Sequence, residues 1–230
     1  ARIHPLSVLQ AMQTYKSGQG LKGSGQWEVN PQIVDALDDA FYLSFDNIIP
    51  TGKRVMLALD VSSSMTWQGC GGMPSVTPRV GSAAMAMVTM RTESDYLVTG
   101  FTSAGYDEDG ISVLDLSPKM RLDDVCDRLE NLDFGGTDCS LPMKYALKNN
   151  LKFDAFVVYT DSETWAGSVH PVEALREYRE KTGIPAKLIV VGMEANDFTI
   201  ADPDDAGMLD VVGFDTTTPS VMSDFIREDL

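Results

Sequence analysis

Residues 55–65 read VMLALDVSSSM. Five successive apolar residues leave no wet face, so they describe a strand buried on both sides, as in a parallel sheet. The run then stops at a carboxylate and enters three hydroxyls. Comparable runs recur at 96–101 (YLVTGF), 155–160 (AFVVYT), 187–192 (KLIVVG) and, more weakly, 210–214 (DVVGF), with ISVL at 111–114 as a short extra strand. Helical stretches lie between them at 82–92, 121–132, 140–150, 170–183 and 219–230. Pro171 opens one of these helices and Gly183 closes it. Strand alternating with helix from Arg54 onward predicts an α/β fold, a Rossmann-like doubly wound and mostly parallel sheet flanked by helices.

Upstream of Arg54 the pattern is helical. PLSVLQAMQTYK at 5–16 places Val8, Leu9 and Met12 at helical spacing and runs out at Gly18 to Gly20; a second helix starts at Pro31 and carries Ile33, Leu37, Phe41 and Leu43 on one side. Pro50-Thr51-Gly52 punctuates the change. The expected organisation is an N-terminal helical segment, 1–50, followed by one α/β domain, 51–230.

Of the 230 residues 43% are hydrophobic and 23% charged, which suits an ordinary buried core. No run approaches a membrane helix, and the N-terminus lacks the apolar region of a secretory signal; absence of an initial Met suits a piece of a longer protein. Cys70, Cys126 and Cys139 are too few and too scattered for a disulfide framework or a zinc site, and point to a reducing, cytoplasmic compartment with each thiol packed as a small hydrophobe. Cys139, although close to a polar loop, has no adjacent Lys, Arg or His to activate it. Net charge is −16 and uneven: residues 193–230 hold ten acids against the single base Arg227. Such a surface repels phosphate backbones, so this chain should not be a main nucleic-acid contact.

In doubly wound sheets, ligands sit beyond the carboxyl ends of the strands where strand order reverses. Three loops offer oxygens there: Asp60, Ser62 and Ser64 from DVSSS, Thr137 and Asp138 from GGTDCS, and Asp161 from YTDSE. Hydroxyls and carboxylates without imidazole or thiolate suit a small hard cation, Mg²⁺ or alternatively Mn²⁺. In an extended DxSxS segment, Asp60, Ser62 and Ser64 would face one side and Ser63 the other. Neutral hydroxyl ligands would leave the ion much of its charge, so it would take a further anion such as a carboxylate on a partner protein. Asp138 reads as a helix cap, and His170 and His4 as helix-start and surface or packing residues. FTIADPDDAGMLD, 198–210, misses the EF-hand template because Ala206 and Gly213 occupy ligand positions, so an acidic turn is expected.

DVSSS, GGTD and YTDSE, in that order and each beside the right element, resemble the metal-ion-dependent adhesion site of von Willebrand factor A domains. The resemblance implies a site of Asp60, Ser62, Ser64, Thr137 and Asp161. Longer blocks, among them ARIHPLSVLQAMQTYKSGQGLKG, ALREYREKTGIPAKLIVVGM and FTIADPDDAGMLDVVGFD, are similar to the C-terminal region of the Ro ribonucleoprotein (SS-A/Ro autoantigen) family and together span nearly the whole chain. That resemblance implies a non-enzymatic binding module, with small noncoding RNAs (Y RNAs) and misfolded RNAs held by a ring of helical repeats absent from this chain, and with residues 1–50 leading out of that ring. The stretch TWQGCGGMPSVTPRV, 66–80, departs from the pattern and receives no assigned conformation.

A strand-end Asp beside Mg²⁺ also serves aspartyl-phosphate chemistry, which makes a phosphohydrolase or phosphotransferase built on Asp60 the alternative. That chemistry calls for a second acid two positions on, where this chain has Ser62, and for a phosphate-balancing Lys that these loops lack.

Overall fold

The computed structural model describes residues 5–45, 48–67, 69–70, 75–103, 110–130, 132, 135–161, 167–193, 199–213 and 217–228. His4, Gln68, residues 71–74, Ser162 and Glu163 lie outside these. Six strands form one sheet: β1 (Val55–Asp60), β2 (Tyr96–Phe101), β3 (Ile111–Val113), β4 (Ala155–Thr160), β5 (Lys187–Gly192) and β6 (Met208–Val212). Their spatial order is β3-β2-β1-β4-β5-β6. All neighbours run parallel except β3, which pairs antiparallel with β2 at the edge. The order reverses between β1 and β4, which places the carboxyl ends of these two strands at the switch point.

Every residue of β1, β4 and β5 is buried, as their uninterrupted apolar runs require. Strand alternation divides the core into two layers. Val55, Leu57, Leu59, Val157 and Tyr159 face one layer with α3 (Pro78–Thr92), α4 (Leu122–Glu130) and α7 (Thr218–Arg227); Met56, Ala58, Phe156 and Val158 face the other with α5 (Leu141–Lys148) and α6 (Pro171–Thr182). Helix α3 is buried nearly all round, which explains its Ala- and Met-rich sequence.

The helix ends follow local chemistry. Thr77 caps α3 by accepting from the backbone N–H of Val80 at 3.3 Å, with Pro78 at the first helical position. The helix therefore starts four residues before the stretch expected from apolar spacing. His170 caps α6 through Nδ1, and Gly183 ends it in the left-handed region at φ 70°.

The N-terminal helices α1 (Pro5–Lys16) and α2 (Pro31–Leu43) join the first apolar layer through Leu9, Met12, Val34 and Phe41. Leu9 and Phe41 are fully buried. Truncating a phenylalanine so placed costs about 3–5 kcal/mol. At the rim, Lys16 pairs with Asp123 at 3.3 Å, Arg121 with Asp35 at 2.5 Å and Arg91 with Asp38 at 3.9 Å. These partly exposed pairs contribute about 1 kcal/mol or less each, so apolar burial dominates the attachment. Among the described residues no helix is long and apolar enough to cross a membrane.

Candidate metal centre at the β1/β4 switch point

Strand β1 ends on Asp60, which is 1% exposed. Its Oδ1 accepts the backbone N–H of Ser62 at 2.8 Å, an Asx turn that bends the chain immediately after the strand. Residues Ser63–Thr66 then form a 3₁₀ turn. The extended DxSxS geometry expected from the sequence is therefore incorrect, because local side-chain bonding competes with the strand and ends it. The hydroxyls of Ser62 and Ser64 nevertheless meet, 3.0 Å apart, brought together by the turn rather than by strand alternation. Trp67, which closes the turn, is 73% exposed.

Two further elements reach the same carboxylate. Thr137, in the loop before α5, donates to Asp60 Oδ2 at 3.2 Å, and Thr160, the last residue of β4, donates to that oxygen at 2.8 Å. Asp161 follows, its Oδ1 3.5 Å from the Thr160 hydroxyl. All five residues singled out from the sequence thus lie in one connected cluster, together with Thr160, which was not singled out. The sequence gives it little mark, since threonine is a good strand former and its place beside Asp60 depends on the register of β4 against β1.

Burial pushes the Asp60 carboxyl up to about 6, opposed by hydrogen bonds from Ser62 and Thr160, and the Asp161 charge adds to the rise. Arg79, buried in the first turn of α3, is close enough to feel the Asp60 charge; burial lowers its guanidinium, against Glu130, Cys126 and Asp60, which raise it. A buried carboxylate held mainly by hydroxyl donors has its charge poorly compensated. The donor chemistry of hydroxyls plus carboxylates fits a small hard cation. Among the described residues there is no group of three or more His, Cys, Asp or Glu able to hold a metal, so any ligand set here has to draw on hydroxyls.

Asp138 turns away from this cluster. Its Oδ1 accepts the N–H of Ser140 at 2.9 Å and also the Ser140 hydroxyl, and its Oδ2 lies 3.6 Å from Lys144, so it fastens the start of α5 as expected. Gly167, at φ +95°, lies so close that an added Cβ would sit 2.3 Å from Asp138 Oδ2. The 199–210 stretch is an acidic turn with internal partners. Asp202 accepts from Asp204 N at 3.0 Å, and Asp205 accepts from Gly207 N at 2.8 Å while pairing with Arg179 at 2.5 Å. Cys139 is fully buried and Cys126 partly so, its thiol pushed up to about 12 by burial; neither is in a disulfide. The Cys126 environment disfavours a thiolate.

A family model for the Ro60 vWA domain matches residues 54–226. The chain belongs to the Ro60 vWA domain family. The RNA-binding protein RO60 of Deinococcus radiodurans is 47% identical over 226 residues, which is 98% of this chain and 41% of that protein. Its namesake in Caenorhabditis elegans is 45% identical over 227 residues, 98% of this chain and 34% of that one. The crystal structure of the Deinococcus radiodurans RO (RSR) protein matches with a TM-score of 0.81 at 46% identity, covering all of this chain and 45% of that one. The chain therefore spans well under half the length of the Ro60 relatives it resembles. The mostly parallel sheet, its flanking helices and the preceding helical segment are those of a vWA-like fold.

Proposed function

We propose that the chain is a non-enzymatic, metal-dependent binding module of a Ro-like RNA-binding protein. Mg²⁺, or Mn²⁺, would be held by the hydroxyls of Ser62, Ser64 and Thr137, with Asp60 and Asp161 contributing charge through water or behind the ligands. The observation that carries this reading is the meeting of β1, β4 and the loop before α5 on one buried carboxylate, with two serine hydroxyls 3.0 Å apart beside it. When bound there, the ion would supply a positive centre only partly neutralised by its ligands, able to take a carboxylate from a partner protein. The residues of this chain orient the donors and exclude water from the Asp60 side.

Binding of small noncoding RNA such as Y RNA, and a part in cytoplasmic RNA quality control, would belong to the whole protein. The RNA surface would lie in a helical-repeat region outside this chain, with residues 1–50 as its outgoing end and 51–230 as the vWA-like domain. Two relatives are named RNA-binding proteins, which supports the RNA role. The charge of −16 argues against this chain supplying the main phosphate contacts. A phosphotransferase built on Asp60 is disfavoured because both carboxylate oxygens are engaged and the group is 1% exposed, leaving a nucleophile no approach.

Calorimetric titration of Mg²⁺ into the wild type and into Asp60→Ala tests the reading. Saturable heat for the wild type, lost in the variant, is expected; the same null trace for both would remove the cation from the account.

A further inference from the structure

Thr160 is fully buried at the carboxyl end of β4, and it belongs to none of the ligand roles assigned above. Leu59 of β1 is in register with Tyr159 of β4, so the next residues along, Asp60 and Thr160, lie side by side at the end of the two central strands. The Thr160 backbone carbonyl accepts the N–H of Met193 at 2.8 Å, which ties the residue to the end of β5. Its hydroxyl therefore reaches Asp60 from the rigid middle of the sheet, whereas Thr137 reaches it from a loop.

A carboxylate oxygen has two acceptor positions. On Oδ2 of Asp60 both are taken, at 2.8 Å by Thr160 and at 3.2 Å by Thr137, while Oδ1 receives the N–H of Ser62. The two donations have different consequences. With its proton given to Asp60, the Thr137 hydroxyl has only lone pairs to offer, as a ligating hydroxyl must. Thr160 donates from the buried end of β4, so that both acceptor positions of Oδ2 are spent on hydroxyls.

We propose that Thr160 is a positioning residue that holds Oδ2 of Asp60 out of the inner ligand sphere of the cation. The inference rests on the cation reading above and deepens it. An ion ligated directly by Oδ2 would be held harder by the protein and would attract an outside carboxylate less. With Thr160 in place, the ion keeps charge for the partner, and Asp60 serves as the acceptor that aims Thr137.

Thr160→Val replaces the hydroxyl by a methyl on the same branched frame, and Thr160→Ser keeps the hydroxyl. A double-mutant cycle with Asp60→Ala, followed by urea unfolding in EDTA, tests the tether without any metal. T160V should shift the unfolding equilibrium about fivefold when Asp60 is present and leave it unchanged in the D60A background, as loss of one hydrogen bond implies. With Mn²⁺ as the probe, T160V should bind the ion about fivefold more tightly and, once saturated, bind acetate about fivefold more weakly, with T160S restoring both values. An equal T160V shift with and without Asp60, or Mn²⁺ affinity unchanged or reduced in T160V, overturns the proposal. If the wild type takes up no Mn²⁺, the cation reading falls by itself and the cycle in EDTA alone decides whether Thr160 tethers Asp60.

Discussion

Two regions of this chain concentrate aspartate, and they solve the problem of negative charge in opposite ways. In the 199–210 turn, burial pulls the Asp205 carboxyl upward, but the hydrogen bond and charge of Arg179 and the N–H of Gly207 outweigh it, so the group lies below its ordinary value. At the β1/β4 edge, burial wins and Asp60 rises to about 6 despite its donors. The chain supplies Asp205 with a cation at 2.5 Å, and gives Asp60 chiefly neutral hydroxyls. Aspartate count alone would have favoured the turn as the metal site. Compensation, rather than count, separates a structural acid from one arranged for a ligand.

Removing the charge of Asp60 gives the largest expected effect. A folded value of about 6 against 3.8 means that the folded chain retains a proton that the unfolded chain has released, so stability falls as pH climbs between those values and stays low above them. In metal-free buffer Asp60→Asn should therefore raise the unfolding free energy at pH 7.5 by up to about 3 kcal/mol, two units at 1.36 kcal/mol each. The gain should vanish below about pH 4, and urea denaturation across that range in EDTA checks it. At the other region the sign reverses. Arg179 donates to Asp205 and, at 2.7 Å, to the carbonyl of Ala186, so Arg179→Met should cost about 2 kcal/mol at neutral pH, with no recovery on adding Mn²⁺. Recovery by metal would make the turn a cation site after all.

Finer changes sharpen the contrast. Thr137→Val should lower Mn²⁺ affinity about tenfold by calorimetry and, through the lost bond to Asp60, cost about 1 kcal/mol of stability by urea unfolding in EDTA. Ser63→Ala should change stability by less than about 0.5 kcal/mol and leave Mn²⁺ affinity as it was. The bond received at Ser63, from the Thr66 hydroxyl, goes to its backbone carbonyl, which the substitution keeps.

Most of the fold is legible in the sequence because parallel strands buried on both faces write themselves as VMLAL, AFVVYT and KLIVVG, with the helix punctuation of Pro171 and Gly183 beside them. The start of α3 is the exception. Thr77-Pro78 is a cap followed by a first-turn proline, but it sits in a Gly- and Pro-rich stretch, where the same residues read equally well as loop. At the candidate centre, the gathering of Asp60, Ser62, Ser64, Thr137 and Asp161 follows from the strand-end rule, which depends only on topology. Two details do not follow from topology. The Asx turn after Asp60 replaces an extended segment, since a side chain bonding its own backbone leaves no mark on hydrophobic periodicity. Thr160 passes for strand filler because threonine is a good strand former, and only the register of β4 against β1 brings its hydroxyl to Asp60.

The most direct test of the central claim is anomalous diffraction from crystals of the chain grown with Mn²⁺. A single strong peak is expected at the β1/β4 edge, about 2.1 Å from the hydroxyl oxygens of Ser62, Ser64 and Thr137. A peak seated instead on Asp202, Asp204 and Asp205, or none at the strand edge, would contradict it.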